Sequence, residues 1–202
     1  MEEGLKFAVE NPNFDFGVHL TVTSEWKYHK WGGILDKAKT PSLHNSVNNF
    51  YWNKRKFVKN ADLNEIKMEL QAQISLAKSM GLKPSHIDSH EGALFFDPNI
   101  FKIYIDLAIE NDLLAFVPIE ASMHFNGELD KPNNAVIIDQ FHMLHGGTKV
   151  EDIENFYFNV IRNLKPGLSQ IIIHLGKDEP ELKEITVDHP NFDYRWRQKD
   201  HD

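Results

Sequence analysis

The segment from Asp62 to Met80 carries Leu63, Ile66, Leu70, Ile74 and Ala77 at helical spacing, which predicts a helix with one apolar stripe. Asp62 with Glu65 forms a capping-box variant at its start, and Gly81 stops it. Strand-like segments lie on both sides. Phe14 to Thr23 alternates, with Phe14, Phe16, Val18, Leu20 and Val22 on one face and Asp15, Gly17, His19, Thr21 and Thr23 on the other. After the Gly81/Pro84 break comes His86-Ile87-Asp88-Ser89-His90, also read as a strand. A helix that must bury one stripe between two strands constrains the chain to layered α/β packing.

The alternation continues. Asp97 caps and Pro98 opens a helix with Ile100, Ile103, Tyr104, Leu107 and Ala108 on its apolar side. Leu113 to Pro118 is a short apolar strand. Thr148 and Glu151 read as a capping box opening a helix to about Leu164, with Ile153, Phe156, Val160 and Ile161 facing in. Past Pro166-Gly167, the strand Ser169 to Leu175 contains Ile171-Ile172-Ile173 and ends near His174. Continuous apolar strands of this kind suit a parallel sheet covered on both faces. Leu5 to Glu10 reads as the tail of a helix stopped by Asn11-Pro12-Asn13, which suggests a chain preceded by more structure. Tyr194 to Asp202 reads as the start of another helix. Ala121 to Gln140 shows no readable period, and Ser24 to Ala61 is long and irregular.

With 202 residues, the chain is expected to form one domain over residues 1–202. Its net charge of −8 argues against a nucleic-acid backbone or an anionic membrane as partner. There is no cysteine, so thiolate catalysis and cysteine-ligated zinc are excluded and any metal must use histidines and carboxylates. No apolar run approaches the roughly 20 residues of a membrane span. Met1-Glu2-Glu3-Gly4 lacks the layout of a signal peptide, so a cytoplasmic location is expected.

Histidines mark the candidate site. Read as a strand, the 86–90 segment puts His86, Asp88 and His90 on one face, a donor set that suits a divalent cation. A solvated, histidine-rich loop is the blander reading. His19, His90 and His174 all fall late in separate predicted strands, and in α/β folds sites gather at the carboxyl ends of strands. In the irregular stretch, Trp26 and Trp31 suit stacking on sugar faces; anchoring the loop to the body is the other use of such rings.

Gly17-Val18-His19-Leu20-Thr21 and His86-Ile87-Asp88-Ser89-His90 resemble, in order and separation, the two histidine motifs of the YdjC-like (ChbG/HpnK-type) carbohydrate deacetylases. The resemblance is strongest from Asn11 to Phe96. Where that family has His-Pro, this chain has His174-Leu175-Gly176. The resemblance implies a deformed, TIM-like (β/α) barrel, a bound divalent cation (Mg or Zn) and removal of acetyl groups from N-acetylated sugars such as chitooligosaccharides. It maps the two metal-binding histidines onto His19 and His90. The family's metal-binding aspartate comes from an Asp-Asp-Phe-Gly strand. Asp15-Phe16-Gly17 looks similar but belongs to the His19 motif. The expectation is therefore a barrel incomplete at its N-terminus, and also without its last helix and strand. Such a chain would bind metal weakly and turn over little or no substrate.

The chemistry implied is amide hydrolysis, which needs an activated water, a base and an acid for the departing amine. Asp88 is the candidate to orient a ligand histidine. His174 is the candidate acid, and His86 is read as structural. Two rival readings are a metal phosphohydrolase and a sugar-binding remnant of the same fold without catalysis. An N-acetylated oligosaccharide is the expected partner, and a homodimer is the oligomer to test for.

Overall fold

The structure, a computed structural model, describes residues 2–124 and 134–202. Elements run in the order α1 (Glu2–Glu10), β1 (Gly17–Leu20), α2 (Lys54–Asn60), α3 (Leu63–Ser79), β2 (His86–Ser89), α4 (Pro98–Asn111), β3 (Leu114–Pro118), α5 (Ile119–His124), β4 (Ala135–Ile138), β5 (Gln140–Met143), α6 (Ile153–Arg162), β6 (Ser169–Ile172), α7 (Pro180–Thr186) and α8 (Tyr194–His201). This is the expected α/β alternation. They divide into two units, residues 1–25 with 30–136 and residues 26–29 with 137–202.

In the first unit β1 pairs with β2 and β2 with β3, all parallel, and the start of β4 follows β3 in the sheet order. Helix α3 packs on β1 and α4. Its stripe does what the spacing predicts: Ile66, Leu70 and Ile74 are fully buried and Ala77 nearly so. Leu63, at the helix start, stays 41% exposed and contributes little. Asp62 caps α3 by accepting the amides of Asn64 and Glu65. Glu65 does not close the box, because its carboxylate accepts the amide and hydroxyl of Ser42 instead. Asp97 and Pro98 open α4 as expected. Between the helices and the sheet, the hydroxyl of Tyr104 lies 2.8 Å from the carbonyl of Ile87 and 2.9 Å from that of Phe116, tying β2 to β3. Burial pushes its phenol well above the ordinary tyrosine range.

Several expectations need correction. The strand around His19 is shorter than its alternation, because Phe14 turns out to solvent at 63% exposure. Residues 24–61 hold α2 and a 3-10 turn at Pro41–Leu43, so they are not without structure. Within 121–140, α5, β4 and the start of β5 flank residues 125–133, which lie outside the described residues.

In the second unit β5 pairs in parallel with β6. Leu144, Ile153 and Trp196 form its core, with Phe156, Tyr157 and Phe192 against them. Thr148 and Glu151 do not cap a helix. The Thr148 hydroxyl bonds back to the carbonyl of His145, a 3-10 turn at Val150–Asp152 intervenes, and α6 begins at Ile153. Ile161 faces solvent at 58% exposure, since α6 is covered on only one narrow side. Ile173 is past the end of β6 and half exposed. Among the described residues no helix is long and apolar enough to cross a membrane.

Because Ile74 is sealed between α3 and its neighbours, Ile74→Ala should destabilise the fold by about 2–5 kcal/mol. Leu63→Ala should cost no more than about 1 kcal/mol, since its side chain is only partly taken out of water. Urea unfolding of the two variants beside the parent checks the contrast.

Candidate metal centre

Register builds the site. Parallel pairing sets Gly17 against His86 and His19 against Asp88, so His19 and Asp88 are neighbours across the sheet. The approach at Gly17 is close: a Cβ there would fall 2.3 Å from the His86 ring, so only glycine fits. His86 itself stacks on Phe116 with ring centres 4.2 Å apart and takes Ser85 as its polar partner, which supports its structural reading.

His19 Nδ1 donates to Asp88 Oδ1 at 2.8 Å. His90 lies just past β2 rather than within it, at the start of a 3-10 turn. The next residues, Glu91 and Gly92, have φ of 52° and 65°, the left-handed region. This turn swings the imidazole of His90 over, so that its Nδ1 lies 3.1 Å from His19 Nε2. On its other side, His90 Nε2 donates to Glu25 Oε2 at 2.9 Å. The Glu91 carboxylate takes the Thr23 hydroxyl at 3.2 Å, and Lys54 holds the Glu91 carbonyl at 3.0 Å.

The consequence is electrostatic. In neutral rings, each imidazole gives its N–H to a carboxylate, which leaves the lone pairs of His19 Nε2 and His90 Nδ1 facing one another. Lone pairs 3.1 Å apart repel unless a positive charge lies between them. Two nitrogens bonded to one zinc at about 2.0–2.1 Å stand roughly 3–3.5 Å apart, so the pair fits shared ligation of a divalent cation. Carboxylates on the outer nitrogens of metal-binding histidines are the usual arrangement. Partial burial works to lower the pKa of His19, but the Asp88 bond and the charges of Asp88 and Glu25 outweigh it and raise it above the ordinary histidine value. Burial works to raise the Glu25 carboxyl, yet its bond to His90, the charge of His90 and that of Lys30 hold it below the usual range. A second grouping, Glu25, His90 and Glu91, also brings ligand atoms within 4.8 Å of one another, on the outer side of the His90 ring.

Glu25 and the residues behind the loop escaped the sequence reading. Ser24 and Thr23 are fully buried, and the amide of Ser24 bonds to Tyr51, so the path of β1 carries on to Glu25. The Ser24 hydroxyl then accepts the amide of Trp31 at 3.0 Å, which returns the loop to the site. Glu69 of α3, with no exposed surface, accepts the amides of Ile34 and Leu35 and the side-chain amide of Gln73. Gln73 in turn bonds both backbone groups of Thr21. Gly33 is needed here, because a Cβ would lie 2.5 Å from the Glu69 carboxylate. The signal was available: Glu69 and Gln73 sit three residues after Ile66 and Leu70, on the border of the apolar stripe.

Trp31 comes to the site, with its ring centre 6.1 Å from that of His90. A cavity of about 480 Å³ opens beside the histidine pair, walled by Val18, Trp31, Ile34 and Phe50. Trp26 and His174 belong to the other unit. Trp26 packs its ring against His189 at 4.7 Å and under Arg197 at 4.9 Å. The amide of His174 bonds to Asp200, and its ring lies 6.0 Å from that of Trp196.

Comparison with known proteins agrees with this architecture. The family model described as YdjC-like protein matches residues 1–202. A carbohydrate deacetylase of Thermus thermophilus is 28% identical over 177 residues, 85% of this chain and 65% of that protein. One of Clostridium beijerinckii is 27% identical over 192 residues, again 65% of its length. The chain thus spans about two thirds of the curated relatives it matches. A solved structure of a proposed cellobiose-phosphate cleavage protein from Enterococcus faecalis shares the fold, with a TM-score of 0.74 at 20% identity over 99% of this chain and 73% of that one.

If Glu69 holds the loop that carries Trp31, Glu69→Leu should expose the amides of Ile34 and Leu35 to fast hydrogen exchange. The loss of so many buried bonds should cost about 2–4 kcal/mol. Retained protection at both amides would contradict this role.

Proposed function

The chain belongs to the YdjC-like protein family, and from that premise we propose that it acts as a metal-dependent hydrolase removing acetyl groups from N-acetylated sugars of the chitooligosaccharide type. The observation that carries the proposal is the facing pair of His19 Nε2 and His90 Nδ1, each ring backed by a carboxylate. These two nitrogens would hold the cation, Mg or Zn. When bound, such a cation lowers the pKa of a water and polarises the carbonyl to be attacked.

The residues of the chain do the rest. Asp88 keeps His19 in the tautomer that presents Nε2. The apolar wall of Val18, Ile34 and Phe50 offers the acetyl methyl a dry surface, and a cavity near 480 Å³ is within the ordinary size of a ligand site. Trp31 is the platform for a sugar ring. Trp26, turned against His189 and Arg197, is proposed only as a further sugar contact. His174, two residues past the end of β6, is the proposed acid for the departing amine.

Acetate released from N-acetylated chitooligosaccharides, with and without added divalent cation, tests the reading. Release is expected to be slow, to require the cation, and to vanish in His19→Ala and His90→Ala. Trp31→Ala should weaken oligosaccharide binding by about 1–2 kcal/mol. Phosphate released from phosphoesters in place of acetate would favour a phosphohydrolase, and tight sugar binding without turnover would favour a binding protein.

A further inference from the structure

The His90 ring has two polar nitrogens and two alternative uses. With the proton on Nε2, it donates to Glu25, and Nδ1 turns a lone pair toward His19 Nε2. With the proton on Nδ1, it donates to His19, and Nε2 turns a lone pair toward the carboxylates of Glu25 and Glu91. One neutral ring cannot serve both sides with lone pairs, because one of its two nitrogens carries the proton and only the other has a free lone pair. Which side gathers a cation is therefore decided by what sits on Nε2.

We infer that Glu25 is a positioning residue, fixing His90 with its proton on Nε2 so that Nδ1 is left free to share a cation with His19. The Oε2 atom of Glu25 lies 2.9 Å from His90 Nε2, and both side chains are largely out of water, at 23% and 19% exposure. Glu25 is itself held. It follows the buried pair Thr23 and Ser24, and Lys30, whose charge acts on it, is tied to the Ser24 carbonyl at 2.6 Å. Asp88 does the same for His19 at 2.8 Å, on the opposite nitrogen. The two carboxylates thus point the two rings at each other. Glu91, by contrast, has Thr23 for a partner and an exposed side chain, so it is free of this duty.

The inference rests on the metal reading above, and the test separates the two. Histidine nitrogen-15 NMR of the metal-free chain reads the tautomer directly. Calorimetric titration with Zn²⁺ alone reads affinity for the parent and for Glu25→Gln, Glu91→Gln and His19→Ala. In the parent, His90 should show the Nε2–H form. Glu25→Gln, whose amide can donate as well as accept, should mix the tautomers and lower Zn²⁺ affinity about 10–100-fold. Glu91→Gln should change affinity less than about 3-fold, well short of that loss. A Glu25→Gln protein with an unchanged tautomer and unchanged affinity would overturn the assignment. So would Zn²⁺ binding that survives His19→Ala but is lost in Glu91→Gln, since the cation would then sit on the outer side of His90. A parent that keeps the Nε2–H form, loses it in Glu25→Gln, and binds no Zn²⁺ would support the assignment of Glu25 and overturn the metal reading alone.

Discussion

Parallel pairing of Gly17 with His86 and His19 with Asp88 is the constraint from which the site follows. A slip by one residue would turn His19 to the opposite face and bring a side chain against the His86 ring, where only Gly17 fits. Register is secured from below by Leu20 and Ile87, both fully buried, and by the Tyr104 hydroxyl beside the carbonyls of β2 and β3. Once it is set, His19 meets a carboxylate across the sheet and His90 arrives from the turn that follows. Glu91 and Gly92 both adopt left-handed backbone in that turn, a strained geometry for Glu91 that aims His90 away from the strand line.

The second support is the polar border of α3. Its stripe of Ile66, Leu70 and Ile74 anchors the helix, and Glu69 with Gln73, one turn apart, reach from the edge of that stripe to two separate stretches of backbone. Gln73 stands in for a strand neighbour at Thr21, and Glu69 pins the loop at Ile34 and Leu35. A buried carboxylate satisfied by several N–H groups is costly to disturb, which suits a loop that must keep Trp31 beside the histidines.

Helix caps and apolar periods were legible in the sequence because they are local. Asp62, Asp97 and the α3 stripe needed only their own neighbours to be read, and the α/β alternation followed from them. The convergence of His19 and His90 was legible from their places at strand ends, since a parallel sheet brings such ends to one rim. What failed depended on distant partners. The Thr148 box gave way to a bond with His145, and Glu65 was drawn off by Ser42. Glu25 looked like one more polar loop residue; its meaning comes from His90, far away in the chain. Glu69 showed itself only as a polar residue on the border of the apolar stripe; which backbone it would hold stayed hidden, since its donors are loop amides with no sequence signature of their own.

The proposed cation site lies between two imidazoles whose outer nitrogens are held by Asp88 and Glu25. The most direct test is an anomalous difference map, recorded at the zinc edge, from crystals of this chain grown with zinc. The expected result is one peak between His19 Nε2 and His90 Nδ1, within bonding distance of both. A peak on the far side of His90, against Glu25 and Glu91, or no peak near either histidine, would contradict it.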